Sequence, residues 1–213
     1  MTLAYRHGRA SSTEKTICRT GKETHVIPLS TAMRPKKLEE FRGQEHFLYP
    51  GSLLYNAIKN KTFESAIFYG PSGTGKTTLA RIIASEMDAQ FCELNASVTG
   101  TKELKEVLEN AKFRFYGLEN RTTYIYVDEF HRWNKLQQDS LLKALEEGVI
   151  RFIGSTTENP YFSINNAIIS RVRSLYEFHR LSPEDLRAIL ENALQDEERG
   201  LKKYHVSCDP PAL

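Results

Sequence analysis

Gly70-Pro71-Ser72-Gly73-Thr74-Gly75-Lys76-Thr77 is the stretch from which the fold is read. It matches G-x-x-x-x-G-K-[ST], the loop that cradles nucleotide phosphates. Its three glycines let successive backbone N–H groups converge on an anion without Cβ interference. In such a loop Lys76 reaches the β- and γ-phosphates and the Thr77 hydroxyl binds Mg2+. The loop opens a helix, with Thr78 in its first turn, so the positive end of the helix dipole also faces the phosphates. The flanks suit the motif. Ser65-Ala66-Ile67-Phe68-Tyr69 is short and apolar, as a buried strand is. After the loop, Leu79, Ile82, Ile83 and Met87 recur at helical spacing.

A second half of the site lies about fifty residues on. Arg121-Thr122-Thr123-Tyr124-Ile125-Tyr126-Val127-Asp128-Glu129 is a β-branched and aromatic strand ending in two carboxylates. A strand-end Asp can hold the Mg2+ that bridges β- and γ-phosphates, and Asp128 is that candidate. Glu129 beside it is placed to orient or deprotonate an attacking water. A further strand, Val149 to Ser155, follows a helix over residues 135–147 and ends in Thr156-Thr157-Glu158-Asn159-Pro160. That polar tip suits contact with a γ-phosphate or its water, and equally suits ordinary turn chemistry, since Asn-Pro favours turns.

Strands and helices alternate through the rest. Phe91–Asn95 and Leu175–Phe178 read as strands, and Leu104, Val107, Leu108 and Ala111 mark a helix over residues 102–113. Ser182-Pro183-Glu184-Asp185 starts a helix with Pro at its first position and a capping carboxylate, and Gly200 is a plausible stop. The pattern predicts an α/β fold, a parallel sheet with helices on both faces. Residues 1–25 are polar with little apolar periodicity and read as a disordered N-terminal tail.

Composition excludes several classes. At 213 residues, 40% hydrophobic and 26% charged, the chain can bury a real core. A net charge of +2 does not by itself imply nucleic acid. Cys18, Cys92 and Cys208 are far apart, which argues against a zinc site or disulfide framework and fits a reducing compartment. The apolar runs are strand-sized, too short for a membrane span. The expected location is cytoplasmic, or nuclear in a eukaryote.

The segment Met33-Arg34-Pro35-Lys36-Lys37-Leu38-Glu39-Glu40-Phe41-Arg42-Gly43-Gln44-Glu45-His46 resembles the opening segment of clamp-loader-type AAA+ ATPases. The stretches Asp128–Asp139 and Gly154–Pro160 resemble, more narrowly, the replication-associated recombination protein A family and its Werner-helicase-interacting relatives. The resemblance runs from about Pro28 to Gly200. It implies a P-loop three-layer sandwich with about five parallel strands, the Val149–Ser155 strand inserted between the two nucleotide-site strands. It implies ATP and Mg2+ as cofactors. By the same resemblance Thr157 is the first sensor, with Asn159 as runner-up. Asn95 resembles the polar switch residue that holds the catalytic Glu, and Arg42, Gly43 and Gln44 line the adenine. Ser170-Arg171 resembles the motif that sends an arginine finger into a neighbouring subunit, with Arg173 as the alternative.

The family implies homo-oligomers that act on DNA at forks, gaps or ends, with single-strand-binding protein as a partner and, in a bacterium, nucleoid association. Trp133 is a candidate for stacking on a base, although a single Trp beside a helix start is more often packing. The resemblance divides the chain into an ATPase core over 26–180 and the start of a helical lid over 181–213. The lid is expected to be largely missing, its second-sensor Arg to follow Gly200, and one side of the nucleotide to lack cover. Two other enzyme readings are a sliding-clamp loader subunit and a Holliday-junction branch-migration motor. A truncated, non-hydrolysing nucleotide-binding or interaction module is the reading from another class.

Overall fold

The computed structural model describes residues 27–117, 121–204 and 206, so the expected tail over residues 1–25 lies outside the described residues. Five strands form one sheet: β1 (Ala66–Tyr69), β2 (Gln90–Asn95), β3 (Thr123–Asp128), β4 (Ile150–Thr156) and β5 (Leu175–Glu177). Eight α-helices accompany them among the described residues, with three short 3-10 turns. The α-helices are α1 (Leu29–Ala32), α2 (Leu53–Lys59), α3 (Lys76–Glu86), α4 (Thr101–Tyr116), α5 (Lys135–Glu146), α6 (Pro160–Ser163), α7 (Asn166–Val172) and α8 (Pro183–Gln195).

Every pairing in the sheet is parallel, and the strand order is β2-β3-β4-β1-β5. Parallel strands need crossover helices, and these cover both faces. Alternation along each strand sorts the side chains into two cores. Ala66 and Phe68 of β1, Tyr124 and Tyr126 of β3 and Ile153 of β4 pack with Leu79, Ile82 and Ile83 of α3 and with Leu54 and Ile58 of α2. Ile67, Ile125, Val127 and Phe152 face the other way, against Leu104 and Leu108 of α4, Leu141 of α5 and Ile168 of α7. The three layers and the inserted β4 agree with the sequence reading.

Caps set several helix starts. Ser182 and Asp185 form a reciprocal capping box at α8, with Pro183 in its first turn. Asn134 and Gln137 do the same at α5. The sequence reading contains neither α2 nor α7, each only seven residues long. Too few turns expose a period, yet Leu54 and Ile58, and Ile168 and Val172, sit four apart and buried. Ser52 caps α2 through Tyr55 N–H, a signal present in the sequence.

The end of β1 is held closely. Gly70 N–H donates to Thr156 O at 3.1 Å, and Phe178 N–H donates to Tyr69 O at 2.7 Å. Gly70 has φ +131°, and a Cβ there would meet Phe178 O at 2.1 Å. Only glycine fits, because the obstacle is backbone that the sheet fixes. Gly70→Ala should therefore lower unfolding stability by roughly 2–4 kcal/mol, from backbone strain and overpacking together. Chemical denaturation checks this, and an unchanged midpoint would contradict the placement of the loop against β5.

Candidate active site

The carboxyl ends of β1 and β3 meet the start of α3 at a cleft of about 960 Å³, within the range of small-molecule sites. Residues 72–78 of the glycine loop line it with Asp128 and Glu129. Gly73 holds φ +77° and a Cβ there would find no atom within 4 Å, so the loop leaves an open cradle. Gly75, at φ +97°, is the residue before α3, and the helix start therefore points into the cleft.

Lys76 is buried, and its Nζ donates to Gly70 O at 2.9 Å and Pro71 O at 2.7 Å. Gly70 and Pro71 thus act through their carbonyls. Burial lowers the Lys76 pKa, and the nearby charges of Asp128 and Glu129 oppose that. The ammonium is a short-range cation aimed across the loop.

Thr77 and Asp128 supply hydroxyl and carboxylate oxygens, the hard ligands Mg2+ takes when phosphates complete its shell. No group of three or more His, Cys, Asp or Glu that could hold a metal occurs among the described residues. A cation shared with phosphate fits this donor set better than an all-protein cage. Tyr126, fully buried on β3, ties the two together. Its hydroxyl lies 2.8 Å from Thr77 Oγ1 and 3.3 Å from Asp128 Oδ1, and donates to Ser155 Oγ at 2.8 Å. Ser155 Oγ donates to Asp128 Oδ1 at 2.5 Å. Burial raises the Tyr126 hydroxyl's pKa, which keeps it a neutral donor.

Glu129 follows β3 in a left-handed conformation, φ +55°, which costs a non-glycine residue energy and clusters at functional sites. Its Oε2 lies 3.5 Å from His131 Nε2 and 3.6 Å from Arg132 Nε. His131 Nδ1 meets Thr156 Oγ1 at 2.9 Å, so the imidazole links the tip of β4 to Glu129. Asn95 ends β2 opposite Asp128 in register. Its Oδ1 accepts from Ser97 N–H at 2.8 Å, an Asx turn, and Glu129 is met instead by His131 and Arg132.

Other expected residues stand apart from the cleft. Thr157 is exposed just past β4, while its neighbour Thr156 is buried and bonded. Asn159 caps α6 through Tyr161 N–H at 3.0 Å, which is turn chemistry. Arg171 is paired with Glu146 and donates to Ala167 O at 2.9 Å. Arg173 ends α7 at φ +63°. Trp133 is 2% exposed and lies edge-on to Phe130, so its ring is core and closed to a base.

In the opening segment Arg42 lines the cleft, while Gly43 and Gln44 lie outside its lining. Gln44 is 4% exposed. It donates to His179 O at 2.8 Å and Thr74 O at 3.5 Å, and accepts from His179 N–H at 2.9 Å. The amide is a strut between the opening segment, the loop and the residues after β5. Ile189, Asn192 and Gln195 of α8 line the cleft, as does Arg199, which bonds Glu40 at 3.1 Å. Sequence reasoning passed over Tyr126, Ser155, His131 and Arg199. Tyr126 was within its reach, because period-two alternation puts it on the face of Asp128.

A family model described as "ATPase family associated with various cellular activities (AAA)" matches residues 66–180. The chain belongs to this family. It is 45% identical to replication-associated recombination protein A of Coxiella burnetii, over 87% of this chain and 41% of that protein. The same-named protein of Escherichia coli K12 is 44% identical over 81% of this chain and 38% of its own length. The AAA chain thus spans about 40% of these relatives. Among solved structures it is similar to the RuvB Holliday junction branch migration motor of Thermotoga maritima. That match has a TM-score of 0.63 and 27% identity, and covers 76% of this chain and 54% of that one.

The strut assignment of Gln44 is testable. Gln44→Ala should cost about 1–2 kcal/mol of stability by leaving the His179 and Thr74 backbone groups without their side-chain partner, with little change in nucleotide affinity of the folded protein. Thermal unfolding and nucleotide titration together check it. A loss of adenine affinity at unchanged stability would return Gln44 to the base site.

Proposed function

We propose that this chain is the ATP-binding and ATP-hydrolysing core of a factor that works on DNA in replication and recombination repair. The observation that carries the reading is the meeting of Lys76, Thr77, Asp128 and Glu129 at one cleft, from two strands separated by β4. The similarity to replication-associated recombination proteins, at 44–45% identity, supports the cellular role over that of a branch-migration motor, at 27%. Core boundaries at 26–180 and a lid beginning at 181 agree with α8 standing at the cleft's edge.

The roles follow from chemistry. The backbone N–H groups of residues 72–78 and the Lys76 ammonium bind phosphate oxygens. Thr77 and Asp128 hold Mg2+, which when bound neutralises charge on the β- and γ-phosphates. Glu129 accepts a proton from water or orients it, and His131 and Arg132 fix its carboxylate until then. Thr157 as first sensor, Asn159 in its place, and Asn95 as switch each require the β4 and β2 tips to move toward the nucleotide. Arg171 acts on a neighbouring copy in a homo-oligomer, after exchanging Glu146 for phosphate. DNA forks, gaps or ends and single-strand-binding protein are the partners that go with this role. No helix among the described residues is long and apolar enough to cross a membrane.

Glu129→Gln should keep MgATP affinity and lower turnover by at least about a hundredfold, the low end of general-base contributions. Asp128→Asn should weaken Mg2+-dependent binding. Titration of a fluorescent ATP analogue beside steady-state ATPase rates separates the two. If both variants showed one and the same binding defect, the division of roles would be wrong.

A further inference from the structure

The three shortest hydrogen bonds around Tyr126, those of 2.5–2.8 Å, are all satisfied in one direction. Asp128 Oδ1, as a carboxylate oxygen, only accepts, so Ser155 Oγ donates to it at 2.5 Å. Ser155 then offers a lone pair to the Tyr126 hydroxyl, 2.8 Å away. The one phenol proton is thereby used. Thr77 Oγ1, 2.8 Å from the same oxygen, must be the donor in that contact. The chain runs Thr77 to Tyr126 to Ser155 to Asp128, all protons pointing toward the carboxylate.

This direction matters for a hydroxyl that ligates a cation. Such a ligand presents a lone pair to the metal and needs an acceptor for its proton on the far side. In a buried place that acceptor must be protein. Tyr126 is 0% exposed and Ser155 is 0% exposed, so the acceptor is fixed by packing and does not depend on water. Cooperative polarisation along the chain strengthens each link.

We propose that Tyr126 is a positioning residue for Mg2+. Its oxygen accepts a hydrogen bond from the Thr77 hydroxyl, which turns a Thr77 lone pair toward the cation. Its own hydroxyl donates to Ser155, whose hydroxyl in turn donates to Asp128 Oδ1 and holds it in place. The proposal rests on the reading of Thr77 and Asp128 as metal ligands given above. Outer partners of this kind are worth about 10–100-fold in metal affinity. The hydroxyl is the only part required; the ring is core, stacked 6.1 Å from Phe91.

The test is the ratio of nucleotide affinity in Mg2+ to that in EDTA, read by equilibrium titration of a fluorescent ATP analogue. Tyr126→Phe should lower the ratio about tenfold while leaving the affinity in EDTA unchanged. A merely structural hydroxyl would change the melting temperature and leave the ratio alone. Ser155→Ala cuts the same chain one link on. It should lower the ratio by less, because the Tyr126 proton released from Ser155 is then free to turn to Asp128 Oδ1, 3.3 Å away. An unchanged ratio in folded Tyr126→Phe overturns the proposal. If that variant fails to fold, an unchanged ratio in Ser155→Ala overturns it. Asp128→Asn is the control. If the unaltered protein itself bound nucleotide equally with and without Mg2+, the ligand assignment would fall and the proposal with it. A Mg2+-dependent protein with an indifferent Tyr126→Phe would fall on the proposal alone.

Discussion

The insertion of β4 between β1 and β3 is the constraint on which the site depends. Neighbouring strands lie about 4.8 Å apart, so one intervening strand sets the phosphate loop and the carboxylates roughly 10 Å from each other. β1 to β4 and β3 to β4 are both parallel and in fixed register, Phe68 opposite Ser155 and Val127 opposite Gly154. That register puts Ser155 beside Tyr126 and Asp128, while the Tyr126 hydroxyl lies between Thr77 and Asp128. A one-residue slip would turn these side chains to the opposite core.

Polar groups reinforce the same arrangement from outside the sheet. Gln44 joins the opening segment to the residues after β5, and Arg199 joins the end of the α8 region to Glu40. Both connect segments on either side of the cleft that are more than a hundred residues apart in sequence. The Gln44 side chain is itself buried, and loss of its bonds leaves the His179 and Thr74 backbone groups short of a partner. The Arg199 pair is partly exposed and contributes less. The cleft is therefore a rigid sheet edge with a more yielding rim.

The sequence was most legible where chemistry is local. The glycine loop, the Asp128-Glu129 strand end and the Ser182 capping box each need only a few consecutive residues, and each lies where its spacing predicted. The alternation of strands and helices carried the layer architecture for the same reason. The short helices α2 and α7 were lost because seven residues give less than two full repeats. Residues whose meaning is tertiary were misread or missed. Gln44 sits in a stretch that resembles a base-binding segment, yet its bonds are to residues 74 and 179. Trp133, beside a helix start, favours packing in the sequence and packs edge-on to Phe130 in the core. His131 and Ser155 gain significance only from Thr156, Glu129 and Asp128, brought to them by strand order.

The central claim is that a phosphate-binding loop, held open by the sheet, meets its ligand through Lys76. Lys76→Ala removes a cation whose Nζ touches only loop carbonyls, so the fold should survive its loss. Equilibrium titration with a fluorescent ATP analogue, beside thermal unfolding, measures both halves. The account predicts that nucleotide binding disappears while the melting temperature stays the same. Unchanged affinity at an unchanged melting temperature would contradict it.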